Sequence, residues 1–302
     1  MVKMSANESP VRSVVRWVAY PGTIGLGFFL QHTFLGMGQS LLIASYGAVI
    51  LCSGLITALE YGFPARKEWL GGKREWTNDF IFMGVVQMVL PKLLSLAVPL
   101  IAIDLMAANG AATGGIWPHH WPIALQTILM LVGAEFGRYW MHVLCHNWEP
   151  FWRLHAVHHS PHKLYWLNVG RFHPIEKALQ FLLDSLPFIL MGVSKDVLMA
   201  YFVFYAINGF YQHCNIDVRL GMLNCIISGP ELHRWHHSVF IEESNTNYGN
   251  NLIIWDLIFG TFFFPDEKEV GDLGLINRDY PDGFAGQMKT PFIKGLDKQI
   301  SS

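Results

Sequence analysis

The sequence predicts an all-α fold, a polytopic bundle of membrane helices carrying a histidine-rich cap on the cytoplasmic side. Three observations carry this. Charged residues make up 15 % of the 302 residues and hydrophobic residues 52 %, against roughly 25 % charged in an ordinary soluble protein. Apolar runs long enough to cross about 30 Å of hydrocarbon, roughly 20 helical residues, fall near 20–38, 40–60, 80–105 and 121–143. Eleven of the fourteen histidines lie between positions 142 and 237.

The four long runs are read as membrane spans. Two shorter ones, 178–193 and 196–212, joined by Gly192, Val193, Ser194 and Lys195, are read as a re-entrant or tilted hairpin. Lys and Arg near span ends favour the cytoplasmic side. Arg12 and Arg16 precede the first span, and Arg66, Lys67, Lys73 and Arg74 follow the second. The third span exits into Ala107 to Pro122, which contains no Lys or Arg, and the fourth returns. His142 to His173 therefore faces the cytoplasm, and the hairpin returns His213 to the same side. The polar start, Met1 to Pro10 with Lys3 and Glu8, precedes an apolar stretch without a small-residue cleavage site, so it is expected to stay as an anchor. The divisions follow: N-terminal membrane helices over 1–110, a catalytic domain over 111–265, and a polar tail over 266–302 that reads as a loose cytoplasmic extension.

Several function classes drop out. A net charge of −2 provides no basic field for nucleic acid. Cys52, Cys145, Cys214 and Cys225 form no CxxC pair and read as reduced and structural. Gly22, Gly25 and Gly27 lie inside an apolar run and are assigned to helix packing, because a phosphate loop needs a strand before it and a helix after it. No nicotinamide-binding signature is present, so electrons, if needed, come from a separate protein.

The histidines come in spaced groups. His142 and His146 are four apart, on one face of a helix, and Glu135 and Arg138 continue that stripe along the fourth span. Ionisable groups at membrane depth point into the protein or a wet cavity. His155, His158 and His159 form one HxxHH, and His233, His236 and His237 form another. In a helical turn these three positions converge, so each box offers two or three nitrogens to a metal. Pro230 suits the first turn of the second box. His213 joins the set where the hairpin returns. Nine imidazoles exceed what one four- to six-coordinate ion uses, so two metals are implied. Imidazole suits iron, zinc, copper and nickel alike. His162 and His173 read equally as ligands or as hydrogen-bonding neighbours, while His32, His119 and His120 lie far from the cluster.

From about Gly133 to Pro265 the sequence resembles the fatty acid hydroxylase/sterol desaturase superfamily of membrane-bound non-haem di-iron enzymes. The resemblance rests on the three boxes just described, on Arg171-Phe172-His173-Pro174-Ile175-Glu176, and on Asn247-Tyr248-Gly249 with Trp255-Asp256 and Phe259-Gly260-Thr261. It implies a helical membrane fold whose histidines hold two irons, with zinc as a possible substitute, at a lipid-accessible tunnel. O2 would be the co-substrate and the product a hydroxylated or desaturated lipid. A cytochrome, ferredoxin or flavoprotein reductase would supply electrons. His213 matches a box that reads HxxxH in some relatives, but Gly209 stands four residues earlier, and water or Asn215 is the expected replacement. Val143 and Glu135 depart from the Arg and Asp that many relatives carry. Glu135, Arg138, His173, Glu176, Asn215 and Asp256 are candidates to hold the ligands in place. Two rival readings are a metal-dependent membrane hydrolase, for which no HExxH helix is present, and a metal transporter or sensor, whose ligands would line a pore rather than gather at one side.

Overall fold

Helix starts coincide with capping residues. In the computed structural model, which describes residues 9–108, 115–265 and 268–297, Ser9 accepts from the Arg12 N–H at the head of α1 (Pro10–Gly36). Ser40 accepts from the Ile43 N–H at the head of α2 (Leu41–Gly62). Next, α3 (Lys73–Phe82) passes through a π-helical stretch, Met83–Val89, into α4 (Leu90–Ala108). Then come α5 (Ile123–Asn147) and α6 (Glu149–His159). Pro174 opens α7 (Pro174–Asp184), which is followed by α8 (Leu186–Leu190), α9 (Lys195–His213) and α10 (Pro230–His236). The fold is all-helical: no strand occurs among the described residues, only three isolated bridges.

Two segments, α2 and Lys73–Ile101, are long and apolar enough to cross a membrane by length and composition. The runs expected at 20–38 and 121–143 fall in α1 and α5, which are long enough at 27 and 25 residues. Polar groups turned inward, Thr23 and Gln31 in α1 and Glu135 and Arg138 in α5, dilute their apolar composition. Their outward faces still carry Val14, Phe29, Leu125 and Ile128. The expected hairpin is altered. Its first limb breaks at Ser185, where Pro187 in the first turn of α8 starts a new helix, and the chain reverses at Gly192, whose φ is +86°.

The helices α1, α2 and α9 share a core around Tyr20, Ile56, Ile207 and Tyr211. Gly27 permits their close approach, since a β-carbon there would lie 2.3 Å from Ile207 Cδ1. Gly25 plays no such part: nothing lies within 4 Å of its β-carbon position, and Gly22 meets only Val18 of its own helix. Cys52, Cys145 and Cys214 are buried, Cys225 is exposed, and all four are free thiols.

Two buried carboxylates fasten the segment from Tyr165 to Arg171 to the helical bundle. Glu60 accepts from the backbone N–H groups of Trp166 and Asn215, both at 2.8 Å. Asp79 receives the Arg171 guanidinium and the Tyr165 hydroxyl. The tail is not loose. Val270 and Leu273 are buried with Trp69, Leu164 and Trp235, and Leu275 and Tyr280 with Ala156; Trp152 donates its indole N–H to the Asp297 carbonyl at 2.7 Å. The Asp, Lys and Gly residues scattered among them hid these apolar anchors. The polar start over 1–8, part of the loop expected between the third and fourth spans (109–114), and residues 266–267 and 298–302 lie outside the described residues.

Candidate metal centre

The nine histidines of the boxes and of α9 come together where α5, α6, α9 and α10 meet, and they do so as two groups. His142, His146, His155, His159 and His236 form one; His158, His213, His233 and His237 form the other. Within each, one nitrogen from every ring lies within 4.8 Å of the others.

Each HxxHH is divided between the groups rather than converging on one. At 100° per residue, positions i and i+4 are about 40° apart while i+3 lies about 100° from i+4. The first box sends His155 and His159 to the larger group and His158 to the smaller. The second sends His233 and His237 to the smaller and His236 to the larger. The α5 pair completes the larger group, while α9 contributes His213 alone. Gly209, one turn before His213, lines a cavity instead.

Hydrogen bonds place the proton on Nδ1 in six of the nine rings. His142 Nδ1 donates to the Tyr248 carbonyl at 2.7 Å, His158 Nδ1 to the Arg171 carbonyl at 3.2 Å, and His236 Nδ1 to the Thr246 carbonyl at 2.8 Å. His155 Nδ1 donates to Glu176 Oε1 at 2.8 Å. His213 Nδ1 donates to Asn168 Oδ1 at 2.7 Å, and the orientation of that amide follows from Asn168 Nδ2 donating to the Lys163 carbonyl. His146 Nδ1 meets Asn245 Oδ1 at 3.1 Å. With the proton on Nδ1, Nε2 of a neutral ring is a lone pair.

Those lone pairs have no protein donor. His142 Nε2 and His155 Nε2 face one another at 3.0 Å, two acceptors with no proton between them. His146 Nε2 and His213 Nε2 are buried with no partner, as are Nδ1 of His159, His233 and His237. Buried polar atoms left this way are costly, and so many in one place need a shared cation. The donor set fits two imidazole-bound metal ions, with six of the nine rings, His142, His146, His155, His158, His213 and His236, oriented through Nδ1 as metal-ligating histidines are. Burial holds the rings neutral: it pushes His158 down to about 3 and His236 to about 4, and His155, His159, His233 and His237 well below the ordinary range, neighbouring imidazoles adding to the effect on the rings other than His236.

The other candidate residues fall at different distances from the imidazoles. Glu176 touches His155 directly. Asp256 accepts from the N–H groups of Tyr248 and Gly249 and from the Thr261 hydroxyl. Glu135 accepts from Asn250 N–H and, at 2.9 Å, Asn251 N–H, and Arg138 reaches Asn250 Oδ1 at 2.9 Å. All three act through the 248–251 loop, whose Tyr248 carbonyl orients His142. Asn215 does not stand in for a histidine at 209, because its amide is spent on the backbone of Arg66. His173 caps α7 by accepting from Ile175 N–H, and His162 bonds the Leu273 carbonyl. Sequence reasoning missed Asn168, Asn245 and the carbonyls of Arg171, Thr246 and Tyr248. The carbonyls have no side-chain signature at all.

A cavity of about 640 Å³ reaches both groups, touching His142, His155, His158 and His233. Its walls are mostly apolar, from α2, α4, α9 and the π-helical stretch, with Tyr46, Met83, Met88 and Phe202 among them. The widened turn turns Met83, Gly84, Gln87 and Met88 toward this space, a common use of π-helical segments.

The family model for fatty acid hydroxylase matches residues 127–261. The ornithine lipid hydroxylase OlsE of Rhizobium tropici is 33 % identical over 299 residues, 97 % of this chain and 89 % of that protein. The chain belongs to the fatty acid hydroxylase superfamily. As a fatty acid hydroxylase superfamily member it is an oxidoreductase. More distant relatives include the alkylglycerol monooxygenase of Homo sapiens, 32 % identical over 46 % of this chain and 31 % of that protein. A Delta(7)-sterol 5(6)-desaturase of Aspergillus fumigatus is 29 % identical over 48 % of this chain and 41 % of its own length. No solved structure matches the chain.

Proposed function

We propose that this chain is an O2-dependent hydroxylase of an amino-acid-headed membrane lipid, with ornithine lipid the first substrate to try, working through two irons at the paired histidine groups. The observation that carries the reading is the gathering of nine imidazoles into two groups, with buried ring nitrogens that have no protein partner, beside an apolar cavity that His142, His155, His158 and His233 line. Two irons held there would supply O2 activation sufficient to oxidise an unactivated C–H bond, with electrons from a separate cytochrome, ferredoxin or flavoprotein reductase.

The larger histidine group would hold one ion and the smaller, with four imidazoles, the other. Glu176, Asn168, Asn245 and the three carbonyls fix the rings. The apolar walls exclude bulk water and align the lipid. Outward apolar faces on α1, α2, α4 and α5 support four spans, because only lipid accommodates such surfaces on neighbouring helices. Basic residues at Arg12, Arg16, Arg66 and Lys67 support a cytoplasmic metal centre. The resemblance to a hydroxylase along nearly the whole chain favours hydroxylation over desaturation.

The test is metal content per chain after gentle purification in detergent, repeated for His158→Ala and His236→Ala, followed by incubation with ornithine lipid, a reductase system and O2. Near two irons, fewer in both variants, and a product heavier by one oxygen atom only under O2 are expected. Product formed without O2 would instead indicate a hydrolase, and metal movement across vesicles without product a transporter.

A further inference from the structure

The cavity wall holds a buried ammonium that makes no salt bridge among the described residues. Lys177, in α7, is 6 % exposed and lines the cavity. Its Nζ donates to Gln180 Oε1 at 3.3 Å and to the Tyr205 hydroxyl at 3.1 Å. Among the described residues no carboxylate lies within ion-pair distance of it. Arg138, the other buried cation of the cavity, is already engaged by Asp184 and Asn250. Glu176, beside Lys177 in sequence, turns Oε1 to His155 and to Gln180.

An ammonium has three donors, and two are used. The charge lies 5.2 Å from the Tyr205 ring centroid and 5.9 Å from that of Phe172. The Phe172 ring in turn stacks on His158 at 4.2 Å between centroids. The free donor is therefore one aromatic ring away from the metal centre, inside an apolar space. Removing a cation from water without a partner is costly, and a residue that serves only packing would not need the charge.

We infer that Lys177 binds an anionic group of the substrate, a carboxylate in the lipid headgroup, and that Gln180 and Tyr205 hold the ammonium for it. The inference rests on the reading of the cavity as the lipid site. One uncommitted monovalent cation matches a carboxylate better than a phosphate, which would call for further donors. An amino acid joined to an acyl chain through nitrogen keeps its carboxylate, so an ornithine-headed lipid meets this requirement and a neutral glycerol ether does not. The headgroup then enters first, with the chain trailing toward α2 and α4.

Binding separates this inference from the proposed reaction. The full chain, purified in detergent with its metal content measured, is titrated with Nα-palmitoyl-ornithine and with its α-carboxamide, which differs only in the anionic group. The wild type is expected to bind the carboxylate at least about tenfold more tightly, as loss of a hydrogen bond to a charged group implies. Lys177→Met should bind both alike at unchanged metal content and melting temperature, and Lys177→Arg should keep the preference. Equal binding of the two probes by the wild type, which needs no variant, would overturn the inference. So would a carboxylate preference surviving in Lys177→Met, or tighter Lys177-dependent binding of phosphatidic acid. If the preference holds but neither probe is oxidised with O2 and reductant, the inference stands and the proposed reaction fails.

Discussion

Replacing Glu176 by Ala removes the one side-chain carboxyl group bonded directly to a proposed ligand. Its Oε1 accepts from His155 Nδ1 at 2.8 Å and from Gln180 Nε2 at 3.0 Å, so the proton stays on Nδ1 and the lone pair on Nε2 points into the larger histidine group. Without the acceptor, His155 can place its proton on Nε2, where it opposes a metal. Loss of such a partner lowers metal affinity by about 10- to 100-fold, or about 1.4 to 2.8 kcal/mol. The effect should be confined to one ion, since His155 belongs to one group. Metal retention is measured by competition with a chelator of graded strength: one equivalent should leave Glu176→Ala early and the second at wild-type chelator concentration. Glu176→Gln, whose amide oxygen can still accept, should fall between. Wild-type retention of both ions in Glu176→Ala would refute the argument that this carboxylate orients His155.

Three further outcomes follow from the same geometry. His146→Ala and His237→Ala, one from each group, should each lower the metal count toward one per chain, and the double variant toward zero, by elemental analysis. Gly249→Ala would set a β-carbon 2.4 Å from the Leu252 carbonyl oxygen, a backbone contact that cannot be relieved by a rotamer, so a loss of about 1–3 kcal/mol in thermal unfolding is expected. In the metal-free protein, His158 and His236 are held near 3 and 4 by burial, below the 6.5 of an unfolded histidine. Below about pH 6.5 the unfolded chain takes up protons that the folded chain refuses. Stability is therefore full above that pH and declines as pH falls toward the folded values; a melting temperature flat from pH 7 to 4.5 would count against neutral buried rings.

The histidine boxes were legible because helical spacing and metal chemistry both leave marks in one short stretch of sequence. Their division into two groups follows from helix geometry, through the angle of about 100° between i+3 and i+4; the expectation that all three positions of a helical turn converge on one metal neglects that angle. What could not be read were the partners. Asp79 meets Arg171 from 92 residues away, and Glu60 meets Asn215 from 155 away. Tyr248 acts through its carbonyl, which every residue possesses. The break at Ser185 arises where a short apolar run folds as two helices, a choice made by tertiary packing. The tail misled because its buried apolar residues, Val270, Leu273, Leu275 and Tyr280 among them, are interspersed with Asp, Lys and Gly.

The seam formed by Glu60, Asp79 and the 165–171 segment bears on how this enzyme can be taken apart. Two rings of the smaller histidine group take their orientation from that segment, His158 from Arg171 and His213 from Asn168, and the segment itself is fastened to α2 and α3. The stretch matched by the family model begins at residue 127, after both anchoring carboxylates. Excised alone it would retain all nine histidines of the two groups and lose the clamps that aim two of them. The catalytic unit is thus larger than its signature: the early helices are part of the instrument that shapes the site, and a soluble fragment cut to the family boundaries would be a scaffold without its frame.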